Sequence, residues 1–197
     1  MGLRPTTGRR KPAKPSRNPR RSDEFTIRPA GPKEVEVLVR HRRAMWEDMG
    51  VRDKRALGRA DTVYQKWARR QFSAGTLKAW VVKDPSGRTV GSGCLWLQPV
   101  QPTPMFDGKA QPYLMSMYTE PGARGKGVAS LIVRAAVDWS RRNRYPWAVL
   151  HASRMGRGLY RGLGFKRLWE IGVDLSRGAN IDGIIPREKQ RARSLAR

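Results

Sequence analysis

Apolar and polar residues recur along the middle of the chain with two different periods, and these periods predict its helices and strands. Over residues 33–49 and 53–72, apolar side chains return every three or four positions, as on one face of an α-helix. The most regular helix is predicted over residues 127–142. Its apolar stripe consists of Val128, Leu131, Ile132, Ala135 and Trp139. A shorter helix is predicted over residues 156–163, directly before Gly164.

Strand-sized apolar segments lie between and around these helices. They are predicted over residues 25–29, 77–83, 89–97, 113–119, 147–152 and 165–175. The tetrapeptide Asp84-Pro85-Ser86-Gly87 joins the second and third strands and has the composition of a tight turn. The order is one strand, two helices, three strands, and then helix, strand, helix and strand. This order predicts an α/β or α+β sandwich built on a mixed sheet.

The net charge of +25 and the isoelectric point near 11.5 are extreme for a chain of 197 residues. Residues 1–22 contain eight Lys or Arg, four Pro and no acid, and hold too little apolar surface to offset the entropy of ordering. We therefore predict a disordered basic tail over residues 1–22, one domain over residues 23–175 and a second basic tail over residues 176–197. A field of this sign attracts polyanions, which suggests nonspecific nucleic-acid contact through the tails.

Several classes of protein do not fit the composition. The longest apolar runs are far shorter than the roughly 18 residues of a membrane helix, so no membrane span is expected. Cys94 is the only cysteine and is expected to be a buried apolar side chain. With only two histidines besides, no metal site is expected. Residues 1–22 lack the apolar core of a signal peptide, so we expect a cytoplasmic protein. We expect it to be a monomer or a homodimer.

The sharpest local motif is Arg124-Gly125-Lys126-Gly127-Val128-Ala129, which lies between a predicted strand and the most regular predicted helix. Its glycines allow a tight turn, and the first amides of the helix are left unpaired at the positive end of the helix dipole. These features predict a phosphate site. Ser130 stands where a dinucleotide fingerprint needs Gly or Ala, and Gly127 stands where a P-loop needs Ser or Thr. Both of those alternatives are therefore excluded.

A second motif, Leu159-Tyr160-x-x-Leu163-Gly164-Phe165, follows some 30 residues later. Together the two motifs resemble the GNAT acetyltransferase superfamily. Arg124-x-x-Gly127-x-Ala129 is similar to its pyrophosphate-binding signature, and the second motif is similar to its "LY-x-x-LGF" helix. The resemblance extends over residues 25–175. It implies a mixed, mostly antiparallel sheet flanked by helices, in which the strands at 113–119 and 147–152 form a splayed parallel pair.

The resemblance also implies that acetyl-CoA is the cosubstrate and that no metal is needed. The pantetheine arm would pair with the backbone of residues 117–119, and the pyrophosphate would rest on the amides of residues 125–129. The implied acetyl-CoA residues are Met117, Tyr118, Thr119, Arg124, Gly125, Lys126, Gly127, Val128, Ala129, Ser153 and Tyr160. Ser153 stands where many members carry Asn, and its shorter side chain puts that contact in question.

The implied reaction is direct attack of an amine on the thioester, without an acyl-enzyme. Tyr160 matches the family position of the general acid that protonates the leaving thiolate. The base stays open among His151, Glu47, Asp48 and a water molecule. The acceptor is an amine, and the basic surface suits one that is anionic or attached to a polyanion. The competing hypothesis is a nucleic-acid-associated basic protein whose GNAT domain binds or senses acyl-CoA.

Overall fold

A five-stranded sheet forms the centre of the computed structural model, which describes residues 24–104, 108 and 110–168. Its strands lie side by side in chain order. They are β1 (Thr26–Ala30), β2 (Leu77–Lys83), β3 (Thr89–Pro99), β4 (Ala110–Thr119) and β5 (Val149–Leu150). Strands β1 to β4 pair antiparallel and β4 pairs parallel with β5. The predicted mixed, mostly antiparallel sheet with one parallel pair is therefore confirmed.

Within the described residues, four α-helices flank the sheet. They are α1 (Val35–Asp48), α2 (Lys54–Ser73), α3 (Val128–Arg142) and α4 (Arg157–Gly162). Short 3-10 turns at Pro32–Glu34 and Pro121–Ala123 precede α1 and α3. None of the helices in the described part of the chain combines the length and the hydrophobicity that crossing a bilayer requires.

The two faces of the sheet carry separate apolar clusters, because successive side chains of a strand point to opposite faces. One cluster packs β2, β3 and β4 against α3; its largest members include Trp80, Leu95, Leu114 and Ile132. The other packs the same strands against α1 and α2; its members include Leu38, Tyr64, Leu77 and Cys94. Cys94 is fully buried, as the sequence predicted, and burial raises the pKa of its thiol to about 11.

The structure corrects one strand prediction and tests a second only in part. The strand predicted over residues 147–152 is only Val149–Leu150, and just two residue pairs join it to β4. In the strand predicted over residues 165–175, the described residues 165–168 have no regular secondary structure, and the remainder lies outside the described residues. The tails predicted at 1–22 and 176–197 also lie outside them, so the domain limits stay predictions.

Candidate functional site

The edge of β4 that faces β5 is open over half its length. Pairing with β5 ends at Leu114 and Leu150, so within the described residues no strand covers this edge of β4 from Met115 to Thr119. The register with β3 also shifts here, where Ser116 adopts a left-handed conformation (φ 51°). Such a bulge bends and twists a strand. The backbone groups of the predicted pantetheine residues 117–119 are thus close to an unpaired edge, which can pair with an extended ligand.

The side chains of these three residues divide between the two faces of the sheet. Met117 packs against the cluster beneath α3. The Tyr118 ring lies 5.2 Å from that of His41 on α1, and burial raises the pKa of its phenol. The buried Thr119 hydroxyl has no hydrogen-bond partner among the described residues. Side-chain contacts therefore hold Met117 and Tyr118, while the backbone of all three residues lies along the open edge.

The predicted phosphate turn lies at the end of this edge and leads into α3. Gly125 (φ 74°) and Gly127 (φ 91°) both adopt the left-handed conformation that glycine tolerates best. Within the described residues, the amides of residues 125–130 donate no backbone hydrogen bond, and the first such bond joins Leu131 to the Gly127 carbonyl. Val128 is buried in the core and Ala129 is half-buried, so the start of α3 is fixed. The result is a run of unpaired donors at the positive end of a helix dipole.

The two cations of the motif have different surroundings. Arg124 donates to the Thr119 carbonyl at 3.0 Å and forms an ion pair with Asp48 of α1, with its guanidinium 5.6 Å from the centre of the Tyr118 ring. Lys126 is exposed and forms no ion pair with a described residue. Arg124 therefore ties the turn to α1, whereas Lys126 is available to an anion.

Tyr160 lies on α4, on the α3 side of the sheet. Its half-buried ring packs on the α3-side cluster and meets the Phe165 ring edge-on at 5.7 Å. A Cβ on Gly156 would lie 2.9 Å from the Tyr160 ring, so the glycine makes room for it. Burial raises the pKa of Tyr160 to about 12, which keeps the phenol protonated at neutral pH.

Ser153 lies in the turn that precedes α4 and forms hydrogen bonds within it. Its hydroxyl accepts the Gly156 amide at 3.3 Å, and its carbonyl accepts the same amide at 3.1 Å. The side chain that the resemblance assigns to the cosubstrate is thus already used in a local bond.

The three side chains considered as bases lie in different environments. His151 is exposed, and its Nδ1 is 2.6 Å from the Tyr113 hydroxyl. Tyr113 neighbours Leu114, which packs on the α3 side, so the Tyr113–His151 pair lies on the opposite face, with α1 and α2. Asp48 is held by Arg124. Glu47 is half-buried, and its backbone carbonyl accepts from Arg52 at 2.7 Å.

The profile of the family described as "Acetyltransferase (GNAT) family" matches residues 39–165, well over half of the chain. The chain belongs to the GNAT acetyltransferase family. The family prediction is thereby confirmed. None of the curated proteins matches the sequence. Among the described residues of this GNAT domain, no group of three His, Cys, Asp or Glu is placed to hold a metal ion.

Solved structures share the fold of this GNAT domain at low sequence identity. A GCN5-related N-acetyltransferase from Ralstonia eutropha JMP134 is 24% identical, with a TM-score of 0.70 over 77% of this chain and 98% of its own. An acetyltransferase with acetyl-CoA from Clostridium acetobutylicum is 22% identical, with a TM-score of 0.69 over 77% and 96%. A ribosomal-protein-alanine N-acetyltransferase from Brucella melitensis biovar Abortus 2308 is 17% identical, with a TM-score of 0.57 over 76% and 97%.

Sequence reasoning missed a buried polar group of this GNAT domain, formed by residues of α1, of β3 and of the position directly after β4. His41 of α1 is buried; its Nδ1 lies 2.9 Å from the Ser92 hydroxyl and its Nε2 lies 3.7 Å from the Glu120 carboxylate. Burial is the main cause that lowers the pKa of His41, so the ring is neutral. The spacing of Leu38, His41 and Met45 on one helical face was a signal for this burial, but no local signal indicates Ser92 or Glu120 as partners.

Proposed function

We propose that the chain is an N-acetyltransferase that takes the acetyl group from acetyl-CoA and transfers it to a primary amine. The observation that carries the proposal is the run of unpaired amides at residues 125–130, next to the uncovered edge of β4. An extended chain ending in a pyrophosphate has the chemistry to use both features, one for its amide groups and the other for its charge. The similar structure from Clostridium acetobutylicum contains acetyl-CoA, which supports this assignment.

The parts of acetyl-CoA can be assigned to named groups of the chain. We assign the pantetheine arm to the backbone of Met117, Tyr118 and Thr119, and the pyrophosphate to the amides from Gly125 to Ala129. Lys126 adds an exposed positive charge beside those amides. Arg124 acts mainly by holding the turn against α1, because its guanidinium already binds Asp48 and Thr119. The Ser153 hydroxyl accepts the Gly156 amide, so it would meet acetyl-CoA through its remaining O–H donor.

In the proposed reaction the amine nitrogen attacks the thioester carbonyl carbon. A carbon–nitrogen bond forms, the carbon–sulfur bond breaks, and CoA leaves as a thiolate. One proton leaves the amine for a base, and the Tyr160 phenol gives a proton to the sulfur. The raised pKa of Tyr160, about 12, keeps the phenol protonated. It also makes proton transfer to the thiolate uphill, because an ordinary thiol has a pKa of about 8.5. Tyr160 is therefore suited to donate as the carbon–sulfur bond breaks.

We propose His151 as the base. It lies with Tyr113 on the α1–α2 face, whereas Tyr160 lies on the α3 face, so the two groups flank the opening between β4 and β5 from opposite sides. That placement separates the proton removed from the amine from the proton given to sulfur. Asp48 is less suited, because its carboxylate already accepts from Arg124.

The base assignment is tested by comparing His151→Asn with Asp48→Asn. We expect His151→Asn to lower kcat by about 10²-fold, the usual range for loss of a general base, with little change in KM for acetyl-CoA. Asp48→Asn should leave kcat within about threefold. The reverse pattern would assign the base to Asp48, and unchanged kcat in both variants would favour Glu47 or a water molecule.

The charge of the chain bears on the acceptor. At +25, the protein repels polycations and attracts amines that are anionic or attached to a polyanion. Among the similar structures, AAC(6')-Iy is described as an aminoglycoside N-acetyltransferase and the Brucella enzyme acts on ribosomal-protein alanine. For this chain the charge favours a peptide or nucleic-acid-linked amine over an aminoglycoside. A higher kcat/KM for an aminoglycoside than for an acidic peptide amine would contradict this assignment.

The first experiment is calorimetric titration of acetyl-CoA into the wild type and Ala129→Glu. We expect micromolar binding by the wild type and its loss in Ala129→Glu, because the new carboxylate lies at the first turn of α3, where the pyrophosphate is assigned. Arg134→Glu, an exposed change in the middle of α3, is the matched control and should bind nearly normally. A wild type that binds no acetyl-CoA would refute the proposal.

The nucleic-acid alternative has its own signature. If the GNAT domain only bound or sensed acyl-CoA, the wild type would bind acetyl-CoA but release no free CoA with any amine tested. Its affinity for nucleic acid would fall steeply as salt increases, but an acetyltransferase that also contacts nucleic acid would show the same dependence. The absence of CoA release with every amine tested therefore distinguishes this hypothesis.

A further inference from the structure

Helix α2 has two opposite faces of different character. Leu57, Tyr64 and Ala68 are buried, and the last two pack with residues of α1 and the sheet. The opposite face carries four exposed cations, Arg55, Arg59, Lys66 and Arg70. Their spacings of four, seven and four residues bring them onto one line along the helix, because each spacing is close to a whole number of turns.

These four cations have no ion-pair partner within the described residues. Of the acids next to them, Asp61 is paired with Arg43 and Asp53 caps the helix through the amides of Arg55 and Ala56. The neighbouring Arg69 differs, since it pairs with Glu36. Apart from the attraction between Arg59 and the Asp53 carboxylate, the four charges therefore add along the helix.

We propose that this face of α2 is a docking surface for the phosphate backbone of a nucleic acid. We call the four residues the α2 stripe. It extends over about 22 Å at 1.5 Å per residue, a length close to six or seven base pairs at about 3.4 Å per step. Three of its four members are arginines, whose planar guanidinium binds phosphate oxygens in pairs.

Two other kinds of partner, a lipid surface and a protein, fit the α2 stripe less well. A helix that lies on a lipid surface exposes an apolar face to it, but the apolar face of α2 is buried in the fold. A protein interface needs apolar or aromatic anchors, and on this side of α2 the exposed large apolar residue is Val63 alone within the described residues. A line of positive charge without such anchors suits the backbone of a regular polyanion.

The α2 stripe is separate from the proposed acetyl-CoA site. Helix α2 packs on the face of the sheet opposite α3, whose first turn holds the unpaired amides. A nucleic acid on the α2 stripe would therefore leave the phosphate turn open. Binding of the two should be independent, and an excess of CoA should not displace the nucleic acid.

The test uses the full chain and fluorescence anisotropy with a labelled duplex of about 20 base pairs, long enough to cover the α2 stripe. The stripe variant carries Arg55→Gln, Arg59→Gln, Lys66→Gln and Arg70→Gln. A matched control lowers the charge equally, by Lys33→Gln, Lys83→Gln, Arg88→Gln and Arg142→Gln, at positions scattered outside α2. Glutamine has nearly the helix propensity of Lys and Arg, so α2 should stay folded, which thermal melting verifies.

We expect the wild-type affinity to fall steeply with salt. In the stripe variant the plot of log affinity against log salt should become less steep by about 3.6, since each of the four lost phosphate contacts removes about 0.9. Affinity at about 100 mM salt should fall at least tenfold, while the control changes much less. Arg59→Gln and Lys66→Gln alone should each remove about one unit of slope, which keeps the test valid if the fourfold variant is unstable.

Four outcomes would overturn the proposal. They are no binding by the wild type at low salt, equal losses in the stripe variant and the control, displacement of the duplex by excess CoA, and stripe-dependent binding to phosphatidylserine vesicles with none to the duplex. Equal losses in the two variants would assign the contact to diffuse charge or to the tails. Displacement by CoA would assign it to the phosphate turn, and stripe-dependent binding to vesicles alone would assign it to a lipid surface.

Discussion

At the residue scale, the proposed acid is the most constrained group of the site. Tyr160 is half-buried, and its pKa is raised to about 12, so the phenol stays protonated throughout the range in which the enzyme can be assayed. We expect Tyr160→Phe to lower kcat by about 10²- to 10⁴-fold with little change in the affinity for acetyl-CoA. The wild-type pH profile should show no alkaline loss of kcat up to about pH 10. An alkaline limb that disappears in Tyr160→Phe would show a lower pKa than burial indicates.

His41 carries a second prediction at this scale, on stability. Burial lowers the pKa of His41 in the folded state below its value in the unfolded chain, about 6.5. Just below that pH the unfolded chain therefore binds more protons than the folded one. The contribution of His41 to stability is complete above the unfolded pKa and is lost as pH falls toward the folded pKa. The loss is at most about 1.4 kcal/mol per pH unit.

Urea unfolding at several pH values between about 5 and 8 tests this linkage. We expect the free energy of unfolding of the wild type to fall below about pH 6.5 more steeply than that of His41→Gln, which retains a polar side chain but does not titrate. Parallel curves for the two proteins would contradict a neutral His41 in the folded state.

At the element scale, β3 and α3 approach each other closely because β3 has glycine where they meet. A Cβ on Gly91 would lie 2.5 Å from Val128 Cγ1 and 3.3 Å from the Tyr118 carbonyl. Val128 is the first residue of α3, so a larger side chain at position 91 would displace the start of the helix that supplies the unpaired amides.

We therefore expect Gly91→Ala to destabilise the fold by about 1–3 kcal/mol, the usual range for overpacking, and to weaken acetyl-CoA binding. Gly58→Ala is the opposite case. Its Cβ would meet only Arg43 Nη2, at 3.8 Å, and it lies inside α2, where alanine should stabilise by about 0.5–1 kcal/mol. Denaturant unfolding measures both changes, and a Gly91→Ala protein as stable as the wild type would show that α3 adjusts freely.

The helices were predictable because their periodicity and their end signals agree. The helix predicted over residues 127–142 is Val128–Arg142, and the one predicted over 53–72 is Lys54–Ser73, with Asp53 as its cap. The strand predicted over 147–152 was too long, since its end depends on where β4 and β5 cease to pair and not on local composition.

The candidate site likewise has one part that local sequence predicts and another that depends on distant contacts. The phosphate turn and Tyr160 belong to local motifs of six and seven consecutive residues. His41 contacts Ser92 and Glu120, which lie 51 and 79 positions away, and the ion pair of Arg124 with Asp48 joins residues 76 apart. Contacts at such separations follow from the packing of α1 on the sheet, which the sequence alone does not indicate.

At the scale of the whole molecule, positive charge surrounds both proposed binding surfaces. A net charge of +25 creates a field that extends about a Debye length, about 10 Å at 0.1 M salt and about 3 Å at 1 M. This field should attract acetyl-CoA, which carries phosphate charges, before any contact forms. The amides of the phosphate turn act only at contact and depend less on salt.

The field and the contacts can therefore be separated by salt. Between about 50 and 500 mM KCl we expect KM for acetyl-CoA to rise several-fold and kcat to change less than twofold, because screening weakens capture but not the bond-making step. Lys126→Gln should reduce the salt dependence of KM, since it removes the exposed cation nearest the unpaired amides. The fourfold α2 variant should leave that dependence nearly intact, because the α2 stripe lies on the opposite face of the sheet. A fall in kcat parallel to the rise in KM would mean that salt acts on the chemistry or on the fold. A KM independent of salt would show that contact with the amides dominates the binding of acetyl-CoA.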